Sequence, residues 1–497
     1  MSDLGYAGPR SLAELESRLW WDLERLEELP PAWVPPRTGE DGTPLLDVAI
    51  IGAGMAGLAA GFALFRHGIG NIRLFDRAPE GREGPWVTYG RMETLRSPKH
   101  LAGPALGLAS LTFRAWFEAQ FGAAAWVALD KIPRPQWMEY LVWLRRVTRL
   151  PVENQAELVD LDGDRNGITA TLATPAGERR IRARRLVLAN GRDGLGGPFV
   201  AEPFASLASP RVVHSSAPID FAALAGKTVV VIGAGASAVD NAAEALEAGA
   251  KRVVLLVRRP DIPRVNKSLA GNHAGFARGF RALAPEARLQ INGYMRSVNA
   301  PPPRGSMLRC SRHPGFALRT GSPVLAARDE DETILLTTPK GYIRADFVIV
   351  ATGFGVDWRK RPELARLADR VLRWRDVLPE LDAPGPVLDH PFLGEGMEFR
   401  DRSGDAHSWL GRVYCMNQGA VMSHGRIAGD VPGISVGAQR VADHLVESLF
   451  VEDWEDHFAA MRAFDRPELQ GDEWTVEDAP LDDPGVSEAI QPALSQG

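Results

Sequence analysis

Two glycine-rich segments have the residue types and spacing that bind a dinucleotide. The first contains Gly52, Gly54, Met55, Ala56 and Gly57, and the second contains Gly233, Gly235, Ala236, Ser237 and Ala238. In such a segment the first glycine makes a tight turn, the second lets the backbone approach a pyrophosphate, and the third position lets a helix pack on a strand. The N-terminus of that helix then faces the phosphate charge. Two copies predict two dinucleotides bound to one chain.

The elements around each glycine segment are those of a Rossmann unit. Apolar runs at 46–51 and 229–232 precede the glycines and predict buried parallel strands. Alanine-rich stretches follow the glycines and predict helices. The next strands are predicted at 71–75 and 252–257, which completes a strand, turn, helix and strand in each unit.

The residues that end the second strand of each unit indicate which nucleotide it binds. The first of these strands ends at Asp76, followed by Arg77, and a carboxylate at that place accepts hydrogen bonds from ribose hydroxyls. The other ends at Arg258 and Arg259, and arginine accommodates a 2′-phosphate that a carboxylate would repel. We therefore predict FAD at the first segment and NADPH at the second. The alternative for the arginine pair is a plain solvated strand end.

Small residues after two further strands, 185–189 and 346–350, let the backbone pass close to a nucleotide. They are Gly191 after the first strand, and Ala351, Thr352 and Gly353 after the second. We predict an α/β fold with two Rossmann-like dinucleotide-binding domains, the NADPH domain being inserted in a discontinuous FAD domain. The predicted segments are an N-terminal helix and proline-rich connector (1–44), the FAD domain (45–215 and 326–464), the NADPH domain (216–325) and an acidic, loosely ordered tail (465–497).

Residues 11–29 carry the pattern of an amphipathic helix. Ser11 and Glu14 fit a capping box, and leucines recur at spacings of three and four along one face. Pro30 and Pro31 then end the pattern. The stripe packs either on the core of its own chain, which is favoured, or against another subunit.

Composition excludes several classes of protein. A net charge of −6 gives no reason to expect a nucleic acid or a membrane as partner. The two cysteines, Cys310 and Cys415, form no Cys-x-x-Cys pair, and the ten histidines show no recurrent spacing, so no redox disulfide and no metal site are predicted. No segment is long enough to span a bilayer, and the N-terminus, with acidic Asp3, Glu14 and Glu16, lacks a signal-type apolar core. These features predict a cytoplasmic protein.

Several blocks of sequence resemble the flavin-dependent NADPH monooxygenases, most closely the lysine and ornithine N-hydroxylases. The block 94–98, with Leu95, Arg96 and Ser97, is similar to one beside the flavin in that family. The runs 133–143 and 346–354 are similar to two more of its blocks, and 423–440, with His424 and Ser435, is similar to its segment over the flavin. Trp86, within Gly-Pro-Trp, instead resembles the flavin-containing monooxygenases.

The chain departs from each of these families at particular positions. Ala208, Pro210 and Pro218 stand where the Baeyer–Villiger signature has phenylalanine, glycine and an aromatic residue. Ala56 replaces the proline of the N-hydroxylase first fingerprint. The basic residue that grips the amino-acid carboxylate in N-hydroxylases has Arg91 as its nearest equivalent. Neither lysine nor ornithine is therefore assumed as the substrate.

The resemblance implies a monooxygenase whose partners are a small organic substrate and molecular oxygen. NADPH reduces FAD, a flavin hydroperoxide forms with oxygen, and one oxygen atom passes to the substrate, with N-hydroxylation of an amine as the leading expectation. Baeyer–Villiger or S-oxygenation is one alternative, and an NADPH-dependent flavin oxidoreductase with a non-oxygen acceptor is another. A homo-dimer or homo-tetramer is common in the families that the chain resembles.

Two residues are predicted to touch the substrate or the cofactors. Asn266 follows the NADPH strand, where N-hydroxylases place a substrate-contacting asparagine, and His424 lies in the segment over the flavin. The alternatives are a loop-capping role for Asn266 and a hydrogen-bonded structural role for His424.

Overall fold

The computed structural model describes residues 8–39, 42–380 and 386–476. Its strands are β1 Leu46–Ile51, β2 Ile72–Asp76, β3 Val152–Asn154, β4 Glu157–Asp164, β5 Gly167–Thr174, β6 Gly177–Leu188, β7 Gly196–Pro198, β8 Val212–His214, β9 Thr228–Ile232, β10 Arg252–Leu256, β11 Phe316–Arg319, β12 Ala326–Glu330, β13 Thr333–Thr338, β14 Gly341–Ala345, β15 Phe347–Val350, β16 Phe354–Val356 and β17 Val413–Cys415. Its α-helices are α1 Leu12–Arg25, α2 Met55–Arg66, α3 Phe113–Ala128, α4 Arg134–Val147, α5 Ala236–Glu247, α6 Ala274–Gly279, α7 Pro285–Val298, α8 Arg304–Ser311, α9 Ala365–Ala368, α10 Trp374–Val377, α11 Val421–His424, α12 Ile434–Glu452 and α13 Trp454–Ala463.

The first sheet is built around the first glycine segment. Its strand order is β3-β2-β1-β6-β5-β4, and β17 also pairs with β6. The pairs of β1 with β2 and β6 are parallel, whereas β4, β5 and the first half of β6 form an antiparallel meander. The last five residues of β1 are buried, as expected for a parallel strand that is covered on both faces.

The second sheet is built around the second glycine segment and is entirely parallel. Its order is β11-β10-β9-β15-β8. Two of its strands, β8 and β15, lie outside the expected segment 216–325, because their backbones continue the parallel ladder on the far side of β9. On this pairing we propose that the NADPH domain includes β8 and β15 as well as the expected segment. A three-stranded antiparallel sheet, β12-β13-β14, and a ribbon of β7 and β16 complete the strands of the described residues.

Each of these two sheets reverses its order of parallel strands next to its glycine segment. In the first sheet the reversal falls between β1 and β6, and in the second it falls between β9 and β15. Ligands of open α/β sheets bind outside the carboxyl ends of the strands at such a switch point. The two glycine turns follow β1 and β9 at those edges, so the fold provides two equivalent nucleotide positions. The predicted α/β fold with two dinucleotide-binding sheets is confirmed.

The N-terminal helix packs on the core of its own chain. Ser11 caps α1, because its Oγ accepts a hydrogen bond from the Glu14 N–H at 3.2 Å. Leu15, Leu19 and Leu23 are almost completely buried in the core beside the first sheet, and each such burial contributes about 1.5–3 kcal/mol. The helix ends at Arg25, four residues before the predicted end, where a left-handed turn follows before the prolines.

A second compact unit begins at Glu452. Within it, α13 is followed by residues 464–476, which form neither helix nor strand. The rest of the predicted tail, 477–497, lies outside the described residues, as does Asp3 at the N-terminus.

Candidate functional site

The first glycine turn leaves open space at the N-terminus of α2. A side chain at Gly52, whose φ is +105°, would overlap the carbonyl oxygen of Ala189 after β6, and one at Gly57 would overlap Gly52 itself. A Cβ atom at Gly54, the N-cap of α2, would have the Gly84 nitrogen as its nearest neighbour, 4.0 Å away. Gly52 and Gly57 are therefore required by the packing of the chain, whereas the space above Gly54 fits a pyrophosphate facing the helix N-terminus.

The second glycine turn has the same construction. Gly233 has φ +140°, and a Cβ there would lie 2.6 Å from the carbonyl oxygen of Ala351. Gly235 is the N-cap of α5, and no atom lies within 4 Å of its Cβ position. Ala238, fully buried, takes the place of a third glycine because its methyl group still fits against Gly233. Residues after the turn are accessible: Ala236 is half-buried and Ser237 exposed.

Asp76 stands at the carboxyl end of β2 beside the first turn. Its two carboxylate oxygens accept hydrogen bonds from the backbone N–H groups of Ala53 and Ala78, both at 2.8 Å. Asp76 therefore holds the glycine loop in place through the Ala53 N–H. Each of its carboxylate oxygens can still accept a second hydrogen bond, for example from a ribose hydroxyl. Arg77 is turned away toward Asp193, with which it forms an ion pair at 3.1 Å.

The two arginines after β10 have different surroundings. Arg259 donates a hydrogen bond to the Ser297 carbonyl oxygen at 2.7 Å, which joins it to the end of α7. Arg258 is exposed and has no hydrogen bond or ion pair within the described residues. Of the pair, Arg258 is thus the guanidinium available for a 2′-phosphate.

Replacing Arg258 by alanine is expected to reduce the preference for NADPH over NADH by roughly 10-fold to 100-fold, because a charge-assisted hydrogen bond contributes about 1.5–3 kcal/mol. Arg259→Ala should change the preference less, since its guanidinium already binds Ser297. The measurement is kcat/KM for NADPH and for NADH in both variants. An unchanged ratio in Arg258→Ala would show that this side chain does not read the phosphate.

The predicted flavin-side residues Trp86, Leu95, Arg96 and Ser97 lie in the long connection between β2 and α3. Trp86 packs edge-on against Trp137, with ring centroids 6.0 Å apart. Leu95 is buried, and its N–H donates to the carbonyl oxygen of Ile132, which anchors the block. Arg96 reaches across to donate to the Pro301 carbonyl oxygen at 3.0 Å, and Ser97 next to it is half-buried.

The remaining predicted cofactor residues lie at the strand ends and at the start of α12. Gly191 and Gly353 both adopt positive φ, +81° and +88°. The carbonyl oxygen of Gly353 is hydrogen-bonded to His214 Nε2 at 2.9 Å, and Thr352 Oγ1 donates to the Phe199 carbonyl oxygen. Ser435 Oγ donates to the Gly103 carbonyl oxygen at 2.6 Å, which gives it a role in holding that loop.

Asn266 and His424 both have structural partners. The Asn266 side-chain oxygen accepts from the Ser268 N–H at 3.2 Å and caps the short 3₁₀ turn Lys267–Gly271. His424 is buried, its Nε2 donates to the Gly394 carbonyl oxygen at 2.8 Å, and its Nδ1 accepts from Arg440 at 3.1 Å. Burial, followed by the charge of Arg440, lowers the pKa of His424 to about 3, so this imidazole is neutral at physiological pH. Their contact with a substrate or cofactor stays a prediction.

Arg91 points toward the second sheet. It donates hydrogen bonds to the carbonyl oxygens of Thr88 at 2.7 Å and Ala217 at 3.3 Å, and its guanidinium lies 5.3 Å from the centre of the Phe221 ring. Two of its three nitrogens thus bind the backbone of its own chain.

Sequence reasoning did not identify an amide pair at the carboxyl ends of β6 and β17. Asn417 Nδ2 donates to the Leu188 carbonyl oxygen at 3.2 Å and to Asn190 Oδ1 at 2.9 Å, and both contacts lie beside Gly191. Asn190 could have been identified from the sequence, because it forms an Asn-Gly pair at the end of a predicted strand. Asn417 lies 227 residues further along the chain, and no sequence motif marks it as the partner of Asn190.

A cavity of about 630 Å³ lies over the ribbon of β7 and β16 and contains none of the predicted site residues. Three of its arginines are paired with its aspartates: Arg359 with Asp357 at 3.0 Å, and Arg375 and Arg373 with Asp389 at 2.5 and 3.7 Å. No group of three or more His, Cys, Asp or Glu residues suited to a metal ion occurs in the described part of the chain. None of the described helices has the length and apolar character needed to cross a membrane.

Together the two switch points and their glycine turns define an α/β protein with two dinucleotide positions. Residues 49–271 match the family described as pyridine nucleotide-disulphide oxidoreductase, although Cys310 and Cys415 are separate, buried thiols. The chain is 41% identical to the FAD-dependent urate hydroxylase of Xanthomonas campestris pv. campestris over 468 residues, 93% of this chain and 98% of that protein. The chain belongs to the family of that enzyme and is a flavin-dependent monooxygenase.

Solved structures share the fold at lower identity. An ornithine hydroxylase from Pseudomonas aeruginosa is 17% identical, with a TM-score of 0.62 over 82% of this chain and 100% of that chain. An ornithine N-hydroxylase from Kutzneria sp. 744, solved with reduced FAD, NADP+ and L-ornithine, is 15% identical, with a TM-score of 0.63 over the same shares. The predicted FAD is confirmed by membership in a family of FAD-dependent enzymes, and the match of 49–271 to a pyridine nucleotide family agrees with the predicted NADPH.

Proposed function

We propose that this enzyme hydroxylates urate. The observation that carries the proposal is the 41% identity with a urate hydroxylase along nearly the whole of both chains, compared with 15% and 17% for the ornithine hydroxylases. In the balanced reaction, urate, O₂, NADPH and a proton give hydroxylated urate, NADP+ and water. One oxygen atom enters the substrate, and the other is reduced to water by the electron pair of NADPH.

The residues of this chain bind, orient and shield the reactants in that reaction. When bound, FAD supplies the hydride acceptor and the site of oxygen activation. Gly54 and Gly235 give its pyrophosphate and that of NADPH access to the two helix N-termini. Asp76 and the Asn190–Asn417 pair fix the loops at the edge of the first sheet. A substrate held there needs no acid–base dyad of the protein to activate oxygen, because the cofactor carries that chemistry.

N-hydroxylation of a small amine is the second candidate. It is favoured by the likeness of 94–98 and 423–440 to the N-hydroxylases and by the position of Asn266 after the NADPH strand. The surroundings of Arg91 weigh against an amino-acid substrate, because two of its nitrogens bind backbone carbonyls and are not presented to an amino-acid carboxylate.

The test compares urate, L-ornithine and L-lysine as substrates of the FAD-loaded enzyme. We expect urate to accelerate NADPH oxidation and to be consumed in a 1:1 ratio with NADPH and O₂, with little hydrogen peroxide released. The two amino acids should leave the NADPH oxidation rate unchanged. Formation of a hydroxylamine, with no loss of urate absorbance, would overturn the urate proposal in favour of the amine. Light scattering of the same preparation tests the accompanying expectation of a dimer or tetramer.

A further inference from the structure

Two arginines flank one carboxylate where the loops of the two sheets meet, and a third arginine lies nearby. Arg426, two residues after His424, places Nε 2.7 Å from Asp430 Oδ2 and donates from Nη1 to Ser268 Oγ at 2.8 Å. Arg192, directly after Gly191, places Nη2 3.9 Å from the other oxygen of the same carboxylate. Arg426 and Asp430 lie within the predicted segment 423–440 and Ser268 lies beside Asn266, but neither these residues nor Arg192 were predicted individually as site residues.

This cluster joins three of the segments that were predicted to face the flavin or the substrate. Ser268 lies in the 3₁₀ turn capped by Asn266, beyond the second sheet. Arg192 belongs to the loop after β6 in the first sheet, and Asp430 belongs to the loop that leads into α12 and Ser435. The cluster is thus placed at the junction of the two nucleotide positions, where a substrate must lie to meet the reacting edge of a flavin.

The charge of this junction is positive. Desolvation lowers the pKa of Arg96, and the charges of Arg426 and Arg192 lower it further, which places the three guanidinium groups near one another. Asp430 offsets one of the three guanidinium charges. Asp240 also faces Arg96, and its charge raises the pKa of Arg96. Even with both carboxylates ionised, the three guanidinium groups outnumber them. An excess of positive charge therefore remains at the junction.

The two arginines next to Asp430 are accessible to a ligand. About half of each side chain is exposed, 52% for Arg426 and 59% for Arg192. Arg426 uses Nε and Nη1 for Asp430 and Ser268, so its Nη2 group remains for a ligand, whereas Arg192 has only the ion pair at 3.9 Å. The planar guanidinium groups can thus donate to adjacent acceptors of a flat anion, a geometry that an ammonium group does not provide.

We infer that Arg426 and Arg192 bind the anionic edge of the substrate and make the site select planar anions over protonated amines. The inference rests on the proposed function, since urate is a planar anion at neutral pH that carries carbonyl oxygens and ring nitrogens in one plane. Asp430 holds the two guanidinium groups side by side, and Ser268 ties Arg426 to the loop of Asn266. A protonated amine at the same place would meet like charge, which costs binding free energy.

The experiment measures steady-state kinetics of Arg426→Gln and Arg192→Gln in the FAD-loaded enzyme. We expect the KM for urate to rise roughly 10-fold to 100-fold in each variant, as for the loss of a charge-assisted hydrogen bond. FAD content and the KM for NADPH should stay within about twofold of wild type, because the inference assigns neither arginine to a cofactor contact and substitutions away from a binding contact change a free energy by about 0.5 kcal/mol or less. Arg426→Lys keeps the charge but not the paired donors, so its KM for urate should lie between those of wild type and Arg426→Gln. Arg344→Gln is the matched control, because Arg344 is an exposed arginine paired with Glu330 on the three-stranded sheet.

The outcomes separate the inference from the function on which it rests. A rise in the KM for NADPH or a loss of FAD, with an unchanged KM for urate, would mean that the arginines bind a cofactor phosphate, and it overturns the inference. Unchanged kinetics for both substrates overturns it as well. A wild-type enzyme that does not consume urate refutes the proposed function before any variant is compared.

Discussion

Gly54→Val is expected to give a folded protein that has lost FAD and, with it, all monooxygenase activity. The valine Cβ meets no atom of the protein closer than the Gly84 nitrogen at 4.0 Å, and the extended backbone of Gly54, with φ −73° and ψ −170°, accepts a β-branched residue. The side chain would instead fill the space at the N-terminus of α2 that a pyrophosphate needs. The measurement is the ratio of flavin to protein absorbance after purification, which should fall more than roughly tenfold, as for the loss of about 1.4 kcal/mol or more.

The matched control for this experiment is Gly70→Val. Gly70 lies in the exposed connection from α2 to β2, and its Cβ position also has no neighbour within 4 Å. This variant should stay yellow, with an unchanged circular dichroism spectrum. A yellow, FAD-loaded Gly54→Val protein would remove the first glycine turn from the flavin site.

The sequence predicted the strands around the two glycine turns closely. The apolar run 46–51 is β1, and the runs at 71–75, 229–232 and 252–257 differ from β2, β9 and β10 by one residue at either end. Strands that are buried on both faces are continuous apolar runs, and the glycines and charged residues that bound them mark where each strand ends. These features are local, so they can be read without knowledge of the partners.

Strand pairing could not be read in the same way. The run 346–350 is apolar and ends in small residues like the strand before Gly191, yet β15 pairs with β9 in the second sheet and β6 with β1 in the first. Which sheet accepts a strand depends on backbone partners more than a hundred residues away along the chain, and no local pattern records them. For the same reason, the hydrogen bond between Arg426 and Ser268 could not be predicted, because the two residues are 158 positions apart in the sequence.

Residue type alone also leaves the role of a polar side chain open. Asn266 and His424 are the types that a substrate or flavin contact needs, but the same types cap loops and fill buried hydrogen-bond positions. The observed partners of His424, a carbonyl oxygen on Nε2 and a guanidinium on Nδ1, occupy both ring nitrogens. A further contact with a cofactor would therefore use the ring face, and a substitution that keeps both hydrogen bonds would separate the two roles.

Gly235→Val is expected to keep FAD and to lose the productive binding of NADPH. Gly235 has extended backbone geometry, with φ −86° and ψ 177°, and no atom lies within 4 Å of its Cβ position, so the valine causes no clash inside the protein. It would project into the space at the N-terminus of α5 where the NADPH pyrophosphate is expected. The KM for NADPH should rise at least roughly 100-fold, corresponding to about 2.7 kcal/mol, or saturation should be lost altogether. Flavin content should match that of wild type.

Reduction of the bound flavin by dithionite provides the internal control. The Gly235→Val enzyme should be reduced by dithionite as wild type is, because its FAD site is unaltered, but it should be reduced by NADPH only slowly. Gly411→Val, at another open position in an exposed turn, should behave as wild type with both reductants. If Gly235→Val instead loses FAD and still binds NADPH, the assignment of the two turns to the two cofactors is reversed. The Gly54 and Gly235 substitutions add the same side chain at equivalent places in two similar sheets. Loss of FAD in one variant and loss of NADPH binding in the other would therefore show that the two turns bind different ligands.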